Sequence, residues 1–294
     1  MTKKAIALLI PDDSYGERWQ PHVAQLIALL EGELAASVTP ICWRDDPEPL
    51  KAFDLVLPLF TWGYQFFTAE WYALLDWLEG ESLNVHNSPA LMRWNTDKIY
   101  LKQLDSLGVA TIPTHWTDAL SPADLTAARD RFGQADLLVK PPVSGGSYGT
   151  YILQADDPIP TDVAGQRMMV QPVLHSVKQE GEYSLFYFDG QFSHALRKVP
   201  KAGDFRVQEQ FGASEIQIAP DPEAFEICAL LISTIHTIFG ENPPLYARID
   251  LIRDNDGKLA LVELEVIEPS LFLGCASDGG KAFAASVGQR LLLQ

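Results

Sequence analysis

Cysteine is scarce in this chain: Cys42, Cys228 and Cys275 are the three among 294 residues, far apart and without a Cys-x-x-Cys pair. That excludes a disulfide framework and a thiolate zinc site. Positive charge is also sparse, with 22 Lys and Arg against 39 Asp and Glu and a net charge of −17. A nucleic-acid partner needs a basic footprint and none is visible, although a few local cations suffice to hold a nucleoside triphosphate. No stretch approaches the roughly 18 apolar residues of a membrane span. The apolar run at 5–10 is broken at once by Pro11-Asp12-Asp13-Ser14, which leaves no signal-peptide core. The expected location is the cytoplasm. Internal repeats and low-complexity tracts are likewise missing.

An apolar fraction of 47% is ordinary for a globular protein, and the length allows two or three compact units. Residues 1–86 alternate strand and helix signals: strands at 5–10, 38–43 and 54–60, helices at 21–36 and 67–78. That order predicts an α/β domain with a parallel sheet, whose ligands sit beyond the strand C-terminal ends. Those ends carry the loops 11–16 and 60–64, which include Trp62 and Tyr64. From Asn87 the character changes. Asn87-Ser88-Pro89 caps a helix, and Asn95-Thr96-Asp97-Lys98 starts another that stops at Gly108. Strands are expected at 111–116, 136–143, 150–154 and 167–173, with a helix at 122–132. Asp189-Gly190 joins strands 183–188 and 191–197 as a hairpin. An amphipathic helix at 222–239 carries Ile227, Leu231, Ile235 and Ile238 on one face, and a last helix spans 280–292. Antiparallel strands with helices make this second part an α+β region, divided at about residue 173 into central and C-terminal subdomains.

Two features carry chemistry. Strands at 246–252 and 261–266, joined by Asp254-Asn255-Asp256-Gly257, alternate polar and apolar residues. Arg248, Asp250, Glu263 and Glu265 then share one face, with Ala247, Ile249, Leu251, Val262, Leu264 and Val266 on the core face. Three carboxylates on neighbouring strands are either a solvated sheet face or an oxygen-only site suited to Mg²⁺. The second feature is the loop 141–149, rich in Gly and Ser, whose small residues let backbone N–H groups surround phosphate oxygens. It has no Gly-Lys-Ser/Thr, so it is no Walker loop, and Lys140 leads into it from an apolar strand. The six histidines are scattered and read as structural or surface residues.

Taken in order, Asn95-Thr96-Asp97-Lys98, the strand ending at Lys140 with its Gly-rich loop, Gln171-Pro172-Val173, Arg248-Ile249-Asp250 and Glu263-Leu264-Glu265 resemble the ATP-grasp superfamily. The likeness runs from about Asn87 to Ser270. It is greatest for the branch with bacterial glutathione synthetase, RimK-type ligases and D-cycloserine-forming cyclo-ligases. The resemblance implies an α/β domain before a two-part ATP-grasp fold. It puts Lys98, Lys140 and the loop residues Ser144, Gly145, Gly146, Ser147, Tyr148 and Gly149 on the triphosphate. Gln171, Pro172 and Val173 would meet adenine and Glu182 the ribose. Lys198 and Arg206 would stand near the γ-phosphate and the acyl group. Asp250, Glu263 and Glu265 would hold Mg²⁺ (or Mn²⁺), and Arg248, Ser270, Trp62 and Tyr64 would touch substrate. Many members have Asn where this chain has Glu265, which makes the site one charge more negative or recruits Arg248 as counter-charge. The Glu268-Pro269-Ser270 run that follows leans to the cyclo-ligase branch.

The implied reaction is ATP-dependent activation of a small, amino-acid-like carboxylate as an acyl phosphate and its joining to an amine, which can lie in the same molecule. The alternatives are a catalytically silent nucleotide-binding or regulatory member and a ligase of peptide or protein tails. Relatives imply a homo-oligomer, a dimer or tetramer, with small-molecule partners and neither nucleic acid nor membrane.

Overall fold

The computed structural model describes residues 3–16, 18–201, 206, 212–240 and 243–292; of the expected Gly203–Gln208 motif only Arg206 falls within them. Strands β1 (Lys4–Ile10), β2 (Ala36–Cys42) and β3 (Leu55–Leu57) form a parallel sheet in the order β2-β1-β3. Successive side chains of β1 serve opposite faces, as the two-residue period requires. Ile6 and Leu8 pack with α1 (Gln20–Glu33), while Ala7 and Leu9 pack with α2 (Thr68–Gly80). Burial on both faces explains why β1 reads as an unbroken apolar run. The strand expected at 54–60 stops at Leu57 because Pro58 has no N–H to continue the ladder.

Two antiparallel sheets follow. One contains β4 (His115–Thr117), β5 (Leu137–Lys140), β6 (Tyr151–Leu153) and β7 (Met168–Pro172) in the order β4-β7-β5-β6. Helix α5 (Pro122–Phe132) covers it. Its N-terminus is set by a reciprocal capping box between Ser121 and Asp124 and its end by Gly133 in the left-handed conformation. Pro113 shortens the strand expected at 111–116, leaving Thr111 a single bridge to Leu261. The other sheet contains β8 (Glu182–Phe188), β9 (Gln191–Val199), β10 (Ser214–Gln217), β11 (Tyr246–Arg253) and β12 (Leu259–Glu265) in the order β10-β9-β8-β11-β12. On one face Leu185, Ala195, Ala247 and Ile249 meet α7 (Pro222–Phe239). On the other Phe186, Phe188 and Tyr246 meet Phe283 of α8 (Lys281–Leu292), in a core shared with the N-terminal sheet. With 18 residues and a mean hydropathy of 1.3, α7 is long and apolar enough to cross a membrane by length and composition. This corrects the expectation that no stretch comes near that limit. Here its Ala224, Cys228 and Leu231 are buried against the sheet.

A strand at a sheet edge presents unpaired backbone groups, and β12 meets them with side chains. The Asn95 amide donates to the Leu264 carbonyl (2.8 Å) and accepts from Val266 N–H (3.3 Å). The Tyr100 hydroxyl accepts from Leu264 N–H (2.8 Å) and donates to the Leu264 carbonyl (3.1 Å). Asn87 donates to the carbonyls of Tyr246 (2.9 Å) and Val266 (2.7 Å). This is why Asn95 and Thr96 close α3 (Pro89–Thr96) instead of opening a helix, and α4 starts only at Tyr100 (Tyr100–Ser106). The helices thereby hold in place the strand that carries Glu263 and Glu265.

Gly181, just before β8, has φ +90°, and a Cβ there would lie 2.3 Å from the Lys198 carbonyl oxygen. Both the conformation and the space demand glycine. Gly181→Ala is expected to cost roughly 2–4 kcal/mol of stability, read as a lowered midpoint in urea unfolding.

Candidate active site

The three sheets meet around one cavity of about 910 Å³. Of the expected site residues, Trp62, Tyr64, Lys98, Lys140, the loop residues Ser144 to Ser147, Gln171, Pro172, Val173 and Glu182 line it. So do Lys198, Arg206, Arg248, Asp250, Glu263, Glu265 and Ser270. Tyr148 and Gly149 do not. Tyr148 is 60% exposed at the loop tip, and Gly149, with φ +67°, lies against Pro141.

One end of the cavity is apolar: Ile112, Leu138, Ile152, Ile252 and Val262 line it beside Gln171–Val173. Val262 was expected on the core face. A bulge pairs Asp250 with Glu263 but Leu251 with Leu261, so Val262 is the extra residue of β12 and turns to the cavity. Gln171, whose amide donates to Thr114 Oγ1 (2.9 Å), is buried where β7 ends. A flat heteroaromatic ring with polar edges suits such a slot.

The middle of the cavity is dominated by charge. Arg248 donates to both Asp250 oxygens (2.8–3.1 Å) and also bonds Glu265. Asp250 further accepts from Ser184 and lies 3.5 Å from Lys198, which lies 3.2 Å from Glu182. Burial opposes ionisation of Asp250, but Arg248 and Lys198 outweigh it and hold the carboxyl below its usual range. Glu265 receives only what Arg248 has left. Burial, with Glu263 and Asp250 adding repulsion, carries it up to about 7. Lys98 Nζ lies 3.1 Å from Glu263 and donates to the Ser144 carbonyl (2.8 Å), tying the Gly-rich loop to β12. Lys140 makes no hydrogen bond or ion pair with the described residues. Burial lowers its pKa to about 8, Glu263 pulling the other way and Lys98 adding to the fall. Gly146 and Ser147 have positive φ (58° and 64°), a bend that turns successive N–H groups toward an anion.

The third wall comes from the N-terminal sheet. Tyr15, Arg18, His22 and Gln65 line the cavity with Trp62 and Tyr64. Trp62 Nε1 donates to the Glu268 carbonyl (2.9 Å), and the Tyr148 ring meets Phe66 edge-on at 4.9 Å. A second cavity of about 310 Å³ lies behind this wall, sharing Tyr15, Trp62 and Gly63.

No family model matches the chain. It is 31% identical over 283 residues to the cycloserine biosynthesis protein DcsG of Streptomyces lavendulae, covering 90% of this chain and 92% of that one. It is 25% identical over 303 residues to the glutathione synthetase of Bradyrhizobium diazoefficiens, covering 96% and 90%. Its fold superposes on the crystal structure of D-cycloserine synthetase DcsG with a TM-score of 0.83 and 24% identity, over 98% of this chain and 99% of that one. The chain belongs to the ATP-grasp superfamily. It is an ATP-dependent carboxylate–amine ligase. The ATP-grasp fold accounts for the cavity between the two antiparallel sheets.

Among the described residues no three His, Cys, Asp or Glu side chains converge into a ready metal-binding group. Asp250, Glu263 and Glu265 are instead drawn to Arg248 and Lys98. The set still suits a hard cation in kind, because all its donors are carboxylate oxygens on one sheet face and two of the three are part-exposed to the cavity.

Tyr15 lies in the loop 11–16 expected to hold ligand, whereas sequence reading missed Arg18, His22, Gln65 and Glu268 as cavity residues. Arg18, His22 and Gln65 follow the loops 11–16 and 60–64 at positions whose facing no local pattern sets, and Glu268 lies beyond the end of β12, outside the strand alternation that marks Glu263 and Glu265. The histidines were set aside together, yet His22 lines the cavity and meets Trp62 edge-on at 6.2 Å.

A lysine whose folded pKa (about 8) lies below its ordinary 10.5 opposes folding when protonated. The penalty is absent above pH 10.5, grows as pH falls and is complete below about 8. Lys140→Met is therefore expected to stabilise the protein by about 3 kcal/mol at pH 7, and the gain should vanish near the upper end of that range. Urea unfolding of both proteins at the two pH values reads the difference.

Proposed function

We propose that this ligase activates a small, amino-acid-like carboxylate as an acyl phosphate and joins it to an amine, with ring closure inside one molecule as the favoured case. The observation that carries this is the convergence of Lys98, Lys140, Lys198, Arg206 and Arg248 with Asp250, Glu263 and Glu265 on one cavity beneath a Gly-rich loop. The ring-closing form is supported by the 31% relative, which is named for cycloserine biosynthesis.

In this reading the slot beside Gln171–Val173 takes adenine and Glu182, at the start of β8, the ribose. Lys140, part-buried at the cavity wall and without a partner among the described residues, meets a phosphate, which restores its full charge. Lys98 does two things at once: it holds the Ser144 carbonyl, fixing the loop base, and it faces the phosphates. The substrate carboxylate attacks the γ-phosphorus, forming the acyl O–P bond while the bond to the β-phosphate oxygen breaks and ADP leaves. Lys198 and Arg206 offset the charge on the transferring group, which is most of what a protein supplies to phosphoryl transfer. The amine nitrogen then attacks the acyl carbon, the C–O bond to phosphate breaks, and inorganic phosphate departs. Closure of the loop over this chemistry excludes water that would hydrolyse the intermediate. Mg²⁺ or Mn²⁺ held by Asp250, Glu263 and Glu265 would neutralise phosphate charge and act as a Lewis acid. Units of residues 1–86, 87–173 and 174–294 would form the substrate wall, the loop-bearing grip and the metal-bearing grip. The enzyme would act on small molecules in the cytoplasm as a homo-oligomer.

Incubation with ATP, Mg²⁺, hydroxylamine and a panel of amino acids, ureido-amino acids and small peptides should release ADP and trap a hydroxamate. No ADP above background with any of them would sink the ligase reading for small carboxylates. Glu263→Gln should cut turnover more than about 100-fold with the thermal midpoint little changed. Unaltered turnover would remove Glu263 from the site.

A further inference from the structure

Most charges in the cavity are compensated, and one carboxylate is not. Glu268 lies three residues beyond the end of β12, lines the cavity, and its side chain makes no hydrogen bond or ion pair with the described residues. Arg248, a natural partner in the same cavity, is already engaged by Asp250 and Glu265. The position of Glu268 is nonetheless fixed, since its backbone carbonyl accepts from Trp62 Nε1 (2.9 Å). Tyr15 and Tyr64 line the same cavity from the N-terminal wall, and burial, with repulsion from Glu265 and Glu263, pushes the Glu268 carboxyl well above the usual carboxylate range, so that an entering cation would restore its charge. The corner around Trp62 is aromatic: Trp62, with Tyr15 and His22 against it at 6.0 and 6.2 Å, and Phe272. A lone carboxylate among ring faces is poor at holding an anion or a neutral polar group. It is well made for a small cation that bonds the oxygen on one side and lies on the rings' negative faces on the other.

We propose that this corner seats a protonated amine of the carboxylate substrate, held by Glu268 and the rings of Tyr15 and Trp62. The inference rests on the ligase reading only for where the reacting carboxylate points, toward Lys198 and Arg206. It names the substrate class: a compound with an ammonium group a short chain away from its carboxylate, rather than a hydroxy acid or a simple carboxylic acid. Glu268 thus acts as a specificity-determining residue. It also gives the N-terminal sheet a role, because without the 60–64 loop the carboxylate would face water and discriminate little.

The test is direct binding, independent of turnover. With the full chain saturated by a non-hydrolysable ATP analogue and Mg²⁺, calorimetry compares both enantiomers of a set of amino acids with the 2-hydroxy acids of the same side chains. The best amino acid should bind at least roughly tenfold more tightly than its hydroxy counterpart. Glu268→Gln should erase that preference, while affinity for the ATP analogue stays within about twofold, a sign that the fold and nucleotide site are intact. Tyr15→Leu should weaken amino-acid binding several-fold and leave the preference. The proposal is overturned if Glu268→Gln keeps the preference, if hydroxy acids bind as well as amino acids, or if no ammonium compound binds the wild type. ADP release separates the two ideas: turnover of hydroxy acids as fast as amino acids would leave the ligase standing and remove the ammonium site. Tight amino-acid binding without ADP formation with any compound would do the reverse.

Discussion

Six carboxylates, Glu182, Glu215, Asp250, Glu263, Glu265 and Glu268, line a single cavity, and cations are interleaved among them. Like charges removed from water repel strongly, and each must find a counter-charge or give up its ionisation. Arg248 serves Asp250 and Glu265, Lys198 serves Asp250 and Glu182, and Lys98 serves Glu263. Where burial outweighs that compensation the titration is perturbed: Glu265 is carried up to about 7, Glu268 well above the usual carboxylate range and Lys140 down to about 8. Such a site is built for something highly charged to enter and complete it. In the proposed reading a nucleoside triphosphate with a divalent cation would do that, its phosphates answering Lys140 and its metal the carboxylates.

The charge cluster needs a rigid floor, and the rigidity comes from uncharged groups. Asn87, Asn95 and Tyr100 bond the free edge around β12 and Val266, so the helices before the first antiparallel sheet fix the strand of the last one. The bulge beside Asp250 turns Val262 into the cavity, giving the same strand both the apolar slot and the carboxylates. The roof is held differently. Lys98 ties the base of the Gly-rich loop to β12, and Tyr148 at its tip meets Phe66 of the N-terminal domain. The Gly-rich loop therefore touches the N-terminal wall of the cavity.

Much of this was legible in the chain. Helix α5 has the expected bounds because Ser121, Pro122, Asp124 and Gly133 settle both ends locally. The Asp189-Gly190 hairpin and the shared face of Arg248, Asp250, Glu263 and Glu265 also follow from turn chemistry and the two-residue strand period, which act within a few residues. The order of lysines, loop and carboxylates was enough to suggest the superfamily. Where reading failed, a longer-range effect had intervened. Asn95 was taken from a helix start by an edge strand about 170 positions on, and Val262 was reversed by a bulge that periodicity does not foresee.

The amino-acid sequence by itself determined the elements, the inventory of charged groups and the face on which most of them lie, because propensity, capping and alternation are local. Only the tertiary structure decided how those charges pair. Arg248 goes to Asp250 and Glu265 and is thereby spent, Lys140 is left without a partner among the described residues, and Glu268 is left beside the rings of the N-terminal wall. Pairing depends on distances between segments far apart in the chain, and on which groups burial strips of water. No spacing along a sequence encodes either.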